Sequence, residues 1–274
     1  MLLPALSKAK EKAQATQCLA HLRQWGVAEQ VYVGDASDML PSDGTDTRAG
    51  VGTGGQYSCD TGATSGAGSY ADPIAWFNAL PPLVADKSLQ QYHDAVPGAN
   101  IKNKYPLPDQ NNLGKIWQCP TAHTTAADFA GSSTDFGNGT AGDGGVYGVF
   151  SYVWDLDLKL KSSIDNGVLN NMYNYPTAPK TTSIRQPAGQ VLIFEQAFSP
   201  NLETYYNGGS PVPRNGILPS QRWTVFGQRH NKGGTIVFLD GHSARFPAKY
   251  IVNPAGGRKE LFNPEVWWNP NRDR

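Results

Sequence analysis

Along residues 4–33 the apolar positions recur at helical spacing. Ala15, Cys18, Leu19, Leu22, Trp25 and Tyr32 fall on one side of a helix. Pro4 suits a first helical position, and Gly34 is placed to stop the element. The stretch SKAKEKAQ is polar nearly all round, so the first part of the helix is expected to project from the body. From 35 to 70 the apolar spacing dissolves into Gly, Ser, Thr and Asp, which reads as loop. DPIAWFNALPPLV, 72–84, predicts a short helix with Asp72 as N-cap and Pro73 at its first position. Residues 85–115 are irregular, KIWQCP predicts a short strand ending at Pro120, and a second Gly-rich loop, GSSTDFGNGTAGDGG, follows. The period then changes to two. VYGVFSYVWDLDLKL, 146–160, alternates and is rich in β-formers, and QVLIFEQAF, 190–198, is an apolar run of strand length. RWTVFGQRH, TIVFLD and HSARFPA follow with turn signals between them. No internal repeat is visible. The order predicts an α+β fold: an N-terminal helix, 1–34, packed on an antiparallel β-sheet within a single loop-rich domain, 35–274.

Composition narrows this picture. Of 274 residues 39% are hydrophobic and 17% charged, with 30 Gly and 20 Pro, which is a folded, loop-rich composition. The formal net charge is zero, so no basic footprint for nucleic acid or an acidic membrane is present. The wholly apolar runs are too short to span a bilayer. Cys18, Cys59 and Cys119 lack zinc-knuckle or thioredoxin spacing. Cys59 and Cys119 can pair in an exported protein, leaving Cys18 free; three unpaired thiols is the other reading.

The most patterned stretch is RHNKGGTIVFLDGH, 229–242, which holds two of the five histidines. NKGG reads as a turn and Asp240-Gly241 as a type I′ hairpin turn. TIVFL is then a middle strand, with His230 opposite Thr235 and His242 opposite Leu239. His230 and Asp240 would sit at opposite ends of it, about 16 Å apart, too far for one metal ion. Asp240 suits a turn or a ligand role; His230 suits a hydrogen-bonded structural role or, alternatively, a catalytic one. Glu195 is a carboxylate in an apolar strand and needs a partner, with His230, Arg229, a metal ion or a backbone turn as candidates. Asp155 and Asp157 share a strand face, read as a solvated face or a site for a hard cation. No G-x-S-x-G, H-E-x-x-H or phosphate-loop motif is present.

LLPALSKAKEKA, QCLAHLRQ, YVGDASDMLP and WQCP, with His230 and Asp240-Gly241 near the other end, occur in the order found in one protein group. The chain resembles type IV pilin-like and type II secretion pseudopilin-like proteins carrying a C-terminal His-x9-Asp-Gly motif. The resembled proteins begin with a basic leader and about twenty apolar residues, a membrane-spanning length. This chain starts at Met1, where that stretch would be ending, so as given it is expected to carry no export signal and no membrane span. The resemblance implies a pilin-like fold, a periplasmic or cell-surface location, other pilin-like subunits or secretion machinery as partners, and calcium as a bound ion. Glu195 and Asp240 are the candidate metal ligands. The leading expectation is a calcium-binding structural component of a secretion or pilus-type assembly. The alternative is a soluble, calcium-dependent hydrolase of small esters or lactones with His230 as general base. A third reading, a carbohydrate-binding surface, needs Trp267 and Trp268 exposed.

Overall fold

The computed structural model describes residues 2–45, 66, 68–95, 116–123, 150–159, 180–197, 203, 218–251 and 263–270. Helix α1 spans Leu2–Asp35. Cys18, His21, Leu22, Trp25, Ala28 and Glu29 are buried, a single stripe at helical spacing that drives the helix onto the body. Ala15, Leu19 and Tyr32 lie half-buried along its edges, and residues 3–13 are exposed. The helix ends one residue beyond Gly34, and the left-handed positions that turn the chain away are Ser37 and Asp38.

The sheet has five strands: β1 (Tyr152–Asp155), β2 (Val191–Glu195), β3 (Ser220–Gln221), β4 (Gly233–Phe238) and β5 (Ser243–Pro247), in the order β3-β1-β2-β4-β5. Helix and sheet together make an α+β fold. The expected antiparallel sheet is corrected to a mixed one, because β3 lies parallel to β1. A parallel neighbour requires a long crossover, and the chain between Asp155 and Ser220 supplies it; alternation within a strand carries no information about direction. β1, β2 and β4 are buried at every residue, whereas edge strand β5 is partly exposed.

Helix α1 packs on β4, β5 and β2. Beside it, Trp25 meets Trp76 and Trp117 edge-on at 5.1 and 5.2 Å, and Trp76 stacks on Trp154 at 6.3 Å. Side chains alternate along β2. Glu195 faces α1, so Phe194 faces away, where Trp268 meets it edge-on at 4.9 Å. Trp267 and Trp268 are both buried, which removes the carbohydrate-surface reading. The Trp267 backbone fastens this tail to the start of β2, donating to the Gly189 carbonyl at 2.7 Å and accepting from Val191 at 2.8 Å.

Several local expectations change. Residues 116–123, including WQCP, form turns rather than a strand: the Ile116 carbonyl accepts from Trp25 Nε1 at 2.8 Å and Cys119 N–H donates to Ser151 Oγ at 2.8 Å. In 72–84, Asp72 accepts from Ile74 N–H within a turn, and the helix is only Trp76–Ala79 with Ala75 as N-cap. Pro81 and Pro82 supply no N–H to continue it, and a 3-10 turn, Pro81–Val84, follows. Strand β1 stops at Asp155; Leu156–Lys159 is 3-10. Asp155 and Asp157 are buried rather than on a solvated face, with Arg222 3.0 Å from Asp157. In RWTVFGQRH, Trp223–Val225 is 3-10 and Phe226 makes a bridge with Gln196.

Both turns around β4 also shift. Asn231 and Lys232 have φ of 49° and 59°, and His230 and Gly233 exchange backbone hydrogen bonds of 3.0 and 3.2 Å. The type I′ loop is therefore Asn231-Lys232, and His230 lies opposite Gly233 rather than Thr235. At the other end Gly241 alone has positive φ, 87°, and Phe238 N–H donates to the His242 carbonyl at 2.9 Å. That is a three-residue loop with a glycine bulge rather than a type I′ turn, so Phe238, not Leu239, faces His242.

Candidate metal centre

Four separate segments meet where α1 crosses the sheet. Cys18 comes from the buried stripe of α1, Cys119 from the turns of 116–123, Glu195 from the end of β2, and His230 from the turn before β4. Each is placed by backbone contacts of its own. The Cys119 segment is tied to α1 by Gln14 Nε2, which donates to the Pro120 carbonyl at 3.4 Å, and His21 Nδ1 lies 3.1 Å from the Gln118 carbonyl. Glu195 Oε2 accepts the Thr235 N–H at 2.7 Å, which leaves Oε1 aimed at the helix. Cys18 Sγ donates to Oε1 at 2.9 Å, and His230 Nε2 lies 3.2 Å from Oε1 and 3.2 Å from Cys119 Sγ. One ligand atom from each of these four residues lies within 4.8 Å of every other. Cys18, Cys119 and Glu195 are 0% exposed and His230 5%.

A second layer surrounds them. Tyr152 OH is 2.9 Å from Cys18 Sγ, and Thr121 Oγ1 is 3.0 Å from Cys119 Sγ. Arg229, whose side chain is 6% exposed, places Nη2 3.4 Å from Glu195 Oε1 and Nη1 2.8 Å from Glu203 Oε2. Burial alone would raise the Glu195 carboxyl, but the His230 hydrogen bond and the Arg229 charge outweigh it and hold the group well below the usual carboxylate range. Burial would likewise lower His230, yet its hydrogen bonds to Cys119 and Glu195 carry it up to about 9. Burial raises Cys119, and the contact from Cys18 together with the Arg229 charge and the His230 bond brings it down to about 6. Cys18 goes the other way, raised chiefly by burial. Arg229 thus lies between two carboxylates, Glu195 and Glu203, and His230 between Glu195 and Cys119.

The shape of these contacts decides what they can do. In a nucleophile–base–orienter relay the two partners of a histidine engage different ring nitrogens. Here Cys119 and Glu195 both meet Nε2 of His230. The atoms converge on a point, as ligands do. Two sulfurs, an imidazole nitrogen and one carboxylate oxygen suit a borderline-soft ion. Calcium, which takes six to eight oxygen ligands, is poorly matched by this set.

Both side-chain partners weighed for Glu195, His230 and Arg229, reach it. Asp240 does not. It is exposed on the β4–β5 loop, in contact with His242 Nδ1 and accepting the His242 N–H at 3.1 Å. Cys119 is a free thiol beside Cys18; Cys59, the partner weighed for it, lies outside the described residues, as does the second Gly-rich loop. The two thiols are the members that sequence reasoning missed. Cys18 reads as a helix core position and Cys119 as a strand end. The usable signal was their residue type, two soft donors in a chain with an acid buried in a strand.

No family model matches the chain, and neither the curated proteins nor the solved structures contain a significant match.

Proposed function

We propose that the chain is a pseudopilin-like structural subunit of a secretion or pilus-type assembly at the periplasm or cell surface. One observation carries this. The side chains with chemical potential face one another in a buried junction between helix and sheet, while the first third of α1 is left exposed, with Leu3 at 81% and Leu6 at 67%. A buried junction holds a helix in place; an exposed helical arm offers surface to neighbouring subunits. Among the described residues no helix is long and apolar enough to cross a membrane.

Deleting residues 2–13 tests it. The truncated chain is expected to unfold at the same denaturant midpoint and to lose cross-linking to pilin-like subunits in the cell. Unchanged cross-linking refutes the role of the arm. The hydrolase alternative has one observation in its favour: His230, Thr121 and Arg229 border a cleft of about 350 Å³. A panel of small esters and acyl lactones, with His230→Ala beside the parent chain, separates the readings. Turnover lost in the variant supports the hydrolase; equal rates in parent and variant remove His230 from any such reaction.

A further inference from the structure

We propose that Cys18, Cys119, Glu195 and His230 bind one zinc ion. This stands apart from the subunit role, and either can fail alone. The four donor atoms already lie within 4.8 Å of one another, with contacts of 2.9–3.2 Å among them. Zinc takes about 2.3 Å to sulfur and 2.0–2.1 Å to nitrogen or oxygen, which sets tetrahedral neighbours about 3.3–3.8 Å apart. Admitting the ion therefore requires those contacts to open by roughly half an ångström. Four protein ligands fill a tetrahedral zinc, the closed arrangement of a structural site.

The surroundings fit a metal better than they fit a bare thiol cluster. Ligand atoms are usually held from behind by outer hydrogen bonds. Tyr152 OH reaches Cys18 Sγ, Thr121 Oγ1 reaches Cys119 Sγ, and the Thr235 N–H holds Glu195 Oε2 so that Oε1 faces the sulfurs. Binding releases one proton from Cys18 and one from the Cys119–His230 pair, both to solvent. Two thiolates and a carboxylate around a dication leave a single negative charge, and the guanidinium of Arg229, shared between Glu195 Oε1 at 3.4 Å and Glu203 Oε2 at 2.8 Å, lies beside it. Of the four ligands, His230 borders an open cleft, together with Thr121 and Arg229. Held by all four, zinc would fasten α1 to β2 and to the segments before β1 and β4.

The test is metal content and cobalt(II) substitution in the full chain, purified under reducing conditions. The expected result is one zinc per chain. Cobalt should give a thiolate charge-transfer band in the near ultraviolet and the visible bands of a tetrahedral ion. Glu195→Gln and Cys18→Ser should weaken cobalt binding by at least about 100-fold, and Tyr152→Phe by about 10-fold. Cys18→Ser alters a buried side chain and can fail to fold, so Tyr152→Phe and Glu195→Gln are read beside it with near-ultraviolet circular dichroism as the fold check. A folded chain that takes up no cobalt overturns the proposal. So does cobalt bound without a thiolate band, affinity unchanged in folded Glu195→Gln, or a Cys18–Cys119 disulfide that persists under the reducing conditions.

Discussion

Gly26→Ala should destabilise the protein although it replaces the second-worst helix former with the best. In a helix interior that exchange normally gains about 1 kcal/mol. At Gly26 an added Cβ would stand 2.6 Å from the Gly241 carbonyl oxygen and 2.7 Å from Val237 Cγ2. Neither obstacle yields easily. The oxygen belongs to the backbone of the β4–β5 loop, whose Gly241 is held at φ 87°, and Val237 is a fully buried β-branched residue of β4. Relief requires α1 and the loop to separate by most of an ångström, and overpacking of this kind costs about 1–3 kcal/mol. With a clash near the top of that range, the net loss is about 1–2 kcal/mol after the propensity gain. Gly34 is the control: it lies in the same helix with nothing within 4 Å of its Cβ position. Gly34→Ala should gain up to about 1 kcal/mol. Urea unfolding followed by tryptophan fluorescence reads both, through midpoint shifts of opposite sign at constant slope. If the two variants shift the same way, α1 is not seated on the Asp240-Gly241 loop and this account of the contact is wrong.

Burial raises the Glu29 carboxyl to about 8, against a hydrogen bond from Gln30 and with a further push from Asp240. Between its ordinary 4.5 and 8 the folded state holds a proton that the unfolded chain has released, so this group's contribution is fullest below 4.5 and is lost as pH rises through 8. The slope in that window approaches about 1.4 kcal/mol per pH unit. Glu29→Gln should therefore flatten the dependence of the unfolding midpoint on pH and stabilise the chain at pH 8 relative to pH 5; an unaltered profile would place the titration elsewhere. Lys232 occupies a left-handed position at φ 59° in the turn before β4. Lys232→Gly should gain about 0.5 kcal/mol, the difference between relieved backbone strain and added chain entropy, and a loss in thermal or urea unfolding would contradict the turn geometry.

Helix α1 was legible in the sequence because its signal is local. Cys18, Leu22 and Trp25 repeat at the pitch of the helix they form, and the polar run after Ser7 marks the part that stays exposed. β2 was legible for a related reason, since a short apolar run bounded by turn formers has few other uses. Where neighbours from afar compete with local preference, the reading slipped. KIWQCP has strand-forming residues, but its hydrogen bonds go to Trp25 and Ser151 instead of a ladder. The loop in RHNKGG closes two residues sooner than its glycines suggest, because the backbone exchange between His230 and Gly233 makes Asn231 and Lys232 take the left-handed places. The spacing that drew attention, His230 to Asp240, records only the length of β4; its two ends do different work, one at the buried cluster and the other against Gly26 of α1. The cluster itself was decided by tertiary structure. Its members lie far apart along the chain, so no spacing rule links them. Only the packing of α1 across β2 and β4 carries Cys18 to within 2.9 Å of Glu195 and gives a buried carboxylate partners that its own strand cannot offer.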